Sequence, residues 1–159
     1  MVVAKPRPLP RPTPTTQPFW DGAKKKQLML QFDPVTRRYQ FWPRQNSVRT
    51  GKRNLQWKKT SGRGTLYSFT LTHVPTAGFE DRVPYPIGLV ELEEGVRIIA
   101  NLINVAPDDV EVGMKLRVAW EALSDDINYF AFEPNGAFIV TEQATAPPRR
   151  SIVTKLVTA

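Results

Sequence analysis

The chain of 159 residues contains no cysteine and a single histidine, His73. The first absence excludes a disulfide framework, a thiolate nucleophile and any cysteine-based metal site. With one imidazole and no thiol, neither a nitrogen/sulfur zinc site nor a catalytic triad can be assembled. No apolar run approaches the ~20 residues that span a bilayer. The first eighteen residues carry Lys5, Arg7 and Arg11 but no apolar core of a secretory signal, which points to the cytoplasm. Acidic residues are scarce in the first half: between positions 24 and 63, Asp33 stands alone against twelve lysines and arginines.

That block has a local charge of +11, whereas residues 64–159 carry −6, with +7 for the whole chain. A basic segment before an acidic body implies an anionic partner, either phosphates or an acidic protein surface; the plainer reading is a solvated face kept for solubility. Length and a hydrophobic content of 41% suit one domain with a sizeable core.

Prolines 6, 8, 10, 12 and 14 alternate through the N-terminal arm, denying backbone donors and favouring extended polyproline II. The arm, residues 1–17, is therefore expected to be flexible or semi-rigid, and residues 1–16, like roughly 141–159, dispensable for barrel folding. Phe19–Gln27, with Asp21 early and Lys24, Lys25 and Lys26 late, has the charge order of a short helix anchored by Phe19 and Trp20. Leu28–Phe32 and Arg38–Trp42 read as strands around the turn Asp33-Pro34-Val35-Thr36, and Leu55-Gln56-Trp57 resumes an extended pattern. From Gly64 onward the chain is β: Tyr67, Phe69 and Leu71 alternate with polar residues as one buried face, and His73 falls on the same register. Ile87–Leu92 and Val96–Val105 flank a Glu93-Glu94-Gly95 hairpin, followed by a helical turn at Pro107–Val110. Strands around Leu116–Trp120 and Phe130–Phe132 bring the number to about five, which suits a small closed barrel better than a sandwich.

No catalytic constellation emerges. His73 reads as a core or barrel-rim residue, and Glu91, Glu93 and Glu94 as a solvated turn. Ser61-Gly62-Arg63-Gly64-Thr65 lacks the lysine and spacing of a phosphate-binding loop and reads as a tight turn into a strand. Tyr39, Phe41, Trp42 and Trp57 interleave the basic block. Such a mixture suits single-stranded nucleic acid, the adenine and phosphates of coenzyme A, or a small satellite core.

The order of short motifs narrows these options. Pro18-Phe19-Trp20, Leu28-Met29-Leu30-Gln31, Phe41-Trp42-Pro43-Arg44, Trp57, the run Ser61–Thr70, Pro84-Tyr85-Pro86, Val90–Arg97, Gly113-Met114 and Phe132-Glu133-Pro134 follow one another over residues 17–134. In this the chain resembles the acyl-CoA-associated OB-fold family, whose members place a rubredoxin-like zinc ribbon between an N-terminal helix and the barrel. The resemblance implies a mostly β fold: a flexible arm (1–17), a helix and zinc-ribbon-like hairpin segment (18–60), a five-stranded OB-type barrel (61–140) and a C-terminal tail (141–159). Family members carry two Cys-x-x-Cys pairs, and those four positions fall here on Asp33, Thr36, Ser47 and Thr50. Hard oxygen groups do not replace thiolates at a structural zinc site, so no zinc or other cofactor is expected. The lost metal would have to be offset by packing of Tyr39, Phe41, Trp42 and Trp57 or by a partner. The resemblance further implies a non-catalytic accessory subunit beside a thiolase-like acyltransferase, a thiolase-type aldolase or a hot-dog-fold acyl-CoA enzyme. Phe19 and Trp20 are then expected at the helix or partner contact, and Arg44, Lys52, Arg53 and Arg63 at the coenzyme A phosphates. The competing reading is a single-stranded nucleic-acid-binding OB module.

Overall fold

The computed structural model describes residues 6–136. Its elements are one helix and eight strands: α1 (Gln17–Lys24), β1 (Met29–Asp33), β2 (Arg38–Gln40), β3 (Gln56–Lys59), β4 (Arg63–Thr72), β5 (Tyr85–Leu92), β6 (Arg97–Asn101), β7 (Lys115–Ala122) and β8 (Asn128–Pro134). A 3-10 turn, Pro107–Asp109, lies between β6 and β7, without a side-chain cap.

Two antiparallel sheets result. The small one has the order β2-β1-β3 and the large one β6-β5-β4-β7-β8. The large sheet curls until its edges meet. Leu102, just past β6, bridges Phe132 of β8 in parallel, and the Ile103 amide donates to the Phe132 carbonyl at 2.8 Å. Five strands in this order with a parallel closure form an OB-fold barrel. Closure removes the exposed edges of an open sheet.

Alternation along β5 and β6 delivers Val90, Leu92, Ile98 and Ala100 to the interior, joined by Leu66, Leu116, Phe130 and Phe132. β4 does not alternate simply. A bulge between Leu66 and Ser68 leaves Tyr67 without a partner on β5, so the inward register shifts there. Leu66 is buried while Tyr67, expected inside, is 47% exposed, with the Arg97 guanidinium 3.5 Å above its ring. An extra residue in one strand turns the following side chains over, which a strict period of two cannot anticipate. His73 lies beyond the end of β4 and is exposed, not on an apolar register. Gly62 adopts φ +71°, and a Cβ there would stand 2.7 Å from a Val118 methyl, so the glycine-rich turn serves close packing against β7.

The helix and small sheet share the barrel's core. Leu28 and Leu30 are buried beside Phe19, whose ring meets Phe130 edge-on at 5.8 Å and Phe41 at 6.0 Å. The helix starts two residues before Phe19, with Pro18 in its first turn, and is over by Lys25, ahead of Lys26 at φ +56°. Asp21 accepts from Gln17 one turn back instead of opening the helix.

The N-terminal arm departs most from expectation. Arg7 donates to both oxygens of Glu121 on β7, at 3.0 and 3.2 Å, and its guanidinium stands 5.0 Å above the Phe79 ring. Arg82 donates to the same carboxylate at 2.8 Å. Polyproline conformation stiffens a segment without requiring it to be free, and a bidentate arginine fixes it to the barrel. Residues 6–16 are therefore not a loose arm; the tail 141–159 lies outside the described residues. Burial raises the Glu121 carboxyl pKa, but the hydrogen bonds from Arg7 and Arg82 outweigh it and hold the group below its usual range.

Two outcomes are expected. Phe19→Ala should cost about 3–5 kcal/mol in urea unfolding, as for other buried aromatics, and Trp42→Ala, at a site 57% exposed, within about 0.5 kcal/mol. Arg7→Ala should cost only about 1 kcal/mol, since Arg82 still satisfies Glu121, while the Leu9 and Arg11 amides gain picosecond–nanosecond motion in nitrogen-15 relaxation; unchanged relaxation would refute docking of the arm.

Candidate functional site

The end of β1 and the loop between β2 and β3 bring three of the four substituted metal positions into side-chain contact. Asp33, at the end of β1, is buried, and its Oδ2 accepts from the Ser47 hydroxyl at 2.5 Å and the Thr50 hydroxyl at 3.3 Å. Its Oδ1 accepts from the amides of Val35 at 2.9 Å and Thr36 at 3.4 Å, closing the turn that carries the fourth position, Thr36. Ser47 Oγ in turn accepts from the amides of Arg49 and Thr50, each at 3.2 Å. The Ser47 hydrogen bond, opposed by burial and aided by the Val35 and Thr36 amides, holds the Asp33 carboxyl below its ordinary range.

One carboxylate and three hydroxyls do not fit a structural zinc ion, which takes thiolates and imidazoles in a closed tetrahedron. Asp33, Ser47 and Thr50 are already engaged with one another, whereas the buried Thr36 hydroxyl has no hydrogen-bond partner among the described residues. The backbone of a ribbon thus persists around hydrogen bonds.

A second polar pair reinforces it. Gln31 and Gln40 face each other across β1 and β2, and both are buried. Gln31 donates to the Arg44 carbonyl at 2.7 Å and accepts from the Arg44 amide at 2.8 Å and from Gln40 at 3.0 Å. Gln40 accepts from the Val48 amide at 3.0 Å. These glutamines stitch the loop 41–48 to the sheet. Of the aromatic residues expected to pack there, Tyr39, Phe41 and Trp57 lie against the core, while Trp42 is largely exposed and stacked on Phe41 at 4.2 Å; the buried Gln31 and Gln40 amides hold the loop beside them. Two glutamines in cross-strand register were the available signal.

Of the four expected anion-binding residues, the structure brings two together. Arg44 and Arg53 line an open, polar hollow of about 390 Å³ with Gln31, Gln45, Leu55 and Trp57, and Pro14 and Thr15 of the arm complete its rim. Arg53 donates to Gln45 at 2.8 Å and to Asn46 at 3.4 Å. Lys52 is exposed on the neighbouring turn and does not line the hollow. Arg63 lies apart, on β4, in a bidentate pair with Glu93 at 2.9 and 3.0 Å; this partner holds its guanidinium on the barrel. Among the described residues no carboxylate pairs with any lysine or arginine between Arg37 and Lys59; the ion pairs all involve Arg7, Lys24, Arg63, Arg82, Arg97 and Arg117. The ribbon also exposes Val35, Trp42 and Val48. Phe19, expected at a partner contact, is a core residue, because burial among Phe41, Trp20 and Phe130 leaves it no surface. Trp20 is half-buried, 6.4 Å from Tyr129.

Fold and site together define an OB-fold protein capped by a small three-stranded, ribbon-like sheet. Residues 57–121 match the family model described as ChsH2, C-terminal OB-fold domain. A DUF35 domain-containing scaffold protein of Methanothermobacter thermautotrophicus is 33% identical over 89 residues, covering 52% of this chain and 67% of that protein. A probable enoyl-CoA hydratase alpha subunit of Thermomonospora curvata is 31% identical over 118 residues, 73% of this chain and 36% of that protein. Among solved structures, one described as an Ltp2-ChsH2(DUF35) aldolase superposes with a TM-score of 0.72 at 26% identity, covering 79% of this chain and 98% of that one. The chain belongs to the DUF35 family of acyl-CoA-associated OB-fold proteins. It spans only about a third of the hydratase subunit's length.

A carboxylate held below its usual range stabilises the fold above its unfolded pKa of ~3.9 and loses that contribution as pH falls through the folded value. Asp33→Ala should therefore lower Tm by roughly 5 °C at pH 7, and the difference from the parent should shrink below about pH 4. The purified protein should contain no stoichiometric zinc, and EDTA should leave Tm unchanged; one zinc per chain by elemental analysis would contradict this reading of the ribbon.

Proposed function

We propose that this chain is a non-catalytic accessory subunit that docks on a thiolase-like or hot-dog-fold acyl-CoA enzyme. Its ribbon presents positive charge to the coenzyme A phosphates at the shared boundary. The observation that carries the reading is the ribbon hollow. Arg44 and Arg53 converge beside the half-buried Trp57, in a lobe whose cations have no carboxylate partner among the described residues. Unpaired guanidiniums near an aromatic ring suit phosphates and a purine.

Two features of the chain fit a subordinate role. Among the described residues no three His, Cys, Asp or Glu side chains converge as metal ligands, and the only histidine stands exposed in a loop. Exposed Val35, Trp42 and Val48 beside unpaired cations have the mixed character of an interface awaiting a partner. Relatives named as scaffold proteins, and the likeness to a structure described as an Ltp2-ChsH2(DUF35) aldolase, support the same reading. No helix among the described residues is long and apolar enough to cross a membrane.

Open, salt-exposed contacts give weak binding, so the isolated chain should hold coenzyme A feebly and the complex more tightly. The test is purification of the enzyme partner from the native host on the tagged chain. Arg44→Glu with Arg53→Glu should weaken acyl-CoA binding by the assembled complex about tenfold at low salt while assembly survives. Arg63→Glu, at the Glu93 pair, should leave that affinity unchanged. Loss of assembly with unchanged ligand affinity would reassign the cations to docking. Tight oligonucleotide binding at physiological salt without response to coenzyme A would overturn the proposal in favour of nucleic-acid recognition.

A further inference from the structure

The N-terminal arm borders two hollows. Arg7 and Pro8 stand at a groove of about 470 Å³ over β5 and β6, and Pro14 and Thr15 at the cationic hollow of the ribbon. Among the described residues, Thr15 is the only hydroxyl-bearing side chain that lines the cationic hollow. The three threonines of this junction are not equivalent. Thr13 and Thr16 are occupied with each other: their hydroxyls stand 3.1 Å apart, and each hydroxyl accepts from the other residue's amide. The half-buried Thr15 has no hydrogen-bond partner for its hydroxyl among the described residues, and that hydroxyl is not sealed from solvent.

The same hollow holds two cations without an anion. The Arg44 guanidinium has no partner among the described residues, and Arg53 donates to the neutral side chains of Gln45 and Asn46. No carboxylate lines the hollow. Charge-assisted hydrogen bonds are roughly twice as strong as neutral ones, so an anion here displaces the amide oxygens from Arg53. A phosphoryl group on Thr15 brings a charge of about −1.5 to −2 and three acceptor oxygens, and each guanidinium fork matches two of these.

Access for a modifying enzyme follows from the arm's backbone. Residues 6–13 are each a proline or the residue before one, which favours an extended chain. Among the described residues, no backbone–backbone hydrogen bond involves residues 6–12. Such a segment enters an extended-substrate cleft without dismantling a strand or helix; only the turn at 14–16 has to open. Arg11, four residues before Thr15, is exposed and forms no ion pair among the described residues, which leaves it free for an acidic kinase cleft.

We infer that Thr15 is a phosphorylation site, and that its phosphate closes onto Arg44 and Arg53 and fills the hollow in place of an outside anion. The Thr15 hydroxyl oxygen attacks the γ-phosphorus of a nucleoside triphosphate. The new O–P bond forms as the bond to the β,γ-bridging oxygen breaks, the hydroxyl proton passes to the kinase's base, and the nucleoside diphosphate leaves. One consequence, a loss of coenzyme A affinity, rests on the hollow being the coenzyme A site proposed above; capture of the phosphate by the two arginines does not.

The test uses the full chain with phosphothreonine encoded at position 15. Two guanidiniums favour the dianion, so the second ionisation of the phosphate, followed by phosphorus-31 resonance, should fall at least about one pH unit below its position in the same chain carrying Arg44→Gln and Arg53→Gln. Coenzyme A, titrated at low salt against the Trp57 indole N–H resonance, should need about tenfold more ligand on the phosphorylated chain than on the parent. For the transfer itself, a native-host extract with radiolabelled ATP should label the parent and Thr13→Val but not Thr15→Val, and fragmentation mass spectrometry should place the group on Thr15. Equal ionisation midpoints with and without the two arginines would overturn the inference. So would label retained in Thr15→Val, or no transfer to the parent. Should the unmodified chain show no response to coenzyme A, the proposed function fails at this hollow, while the ionisation midpoint and the labelling still decide the inference.

Discussion

The buried carboxylate of Asp33 is the constraint on which the ribbon depends. A short three-stranded sheet with connecting loops has too little apolar surface to fix its own turns, which is why ribbons of this kind commonly enlist a metal. Here one side chain receives two hydroxyls and two amides from both loops at once. Hydrogen bonds of this kind have modest net strength, so the remaining stability has to come from elsewhere. It comes from the barrel. β1 carries Asp33 and Gln31 into the polar heart of the ribbon, and Leu28 and Leu30 on and just before the same strand into the hydrophobic core beside Phe19. Polar and apolar anchoring are thus coupled through one five-residue strand.

Barrel closure and ribbon docking meet on β8. Phe130 and Phe132 fill the interior, Phe132 receives the bridge that closes the sheet, and Phe130 is also the surface against which Phe19 and Phe41 pack. Tyr129, next in line, stacks on Phe130 and approaches Trp20. A chain whose two lobes share so many side chains is expected to unfold as one unit. The arm adds a third connection, running from the start of α1 to Glu121 across the barrel's flank.

Much of this was legible in the sequence because it depends on local pattern. Strand positions, the Glu93–Gly95 hairpin, the turn at Asp33-Pro34 and the five-strand barrel all follow from alternation and turn chemistry, and the spacing of motifs named the ribbon. What escaped depends on contacts distant in sequence. Tyr67 alternates correctly with Ser68, yet the bulge beside it belongs to the pairing with β5. Arg7 sits in a segment with every mark of a loose tail, and its fate is decided by a carboxylate 114 positions away. Arg63 adjoins the basic block in sequence, but the hairpin after β5 places Glu93 against it. Net charge per segment cannot distinguish a cation already paired from one that is not.

That distinction organises the surface. Among the described residues, Arg63, Arg82, Arg97 and Arg117 of the barrel each meet a carboxylate, while the cations of the ribbon form no ion pair. Among the described residues, cations without an ion pair therefore cluster on the ribbon, while the groove over β5 and β6 is mainly apolar. The arm contributes Pro14 and Thr15 to the rim of the cationic hollow and Arg7 and Pro8 to the apolar one. A stiff proline-rich segment pinned at both places holds its wall of each hollow in position whether or not a ligand is present. Pre-organisation of this kind lowers the ordering cost of binding, which matters most for sites whose individual contacts are weak.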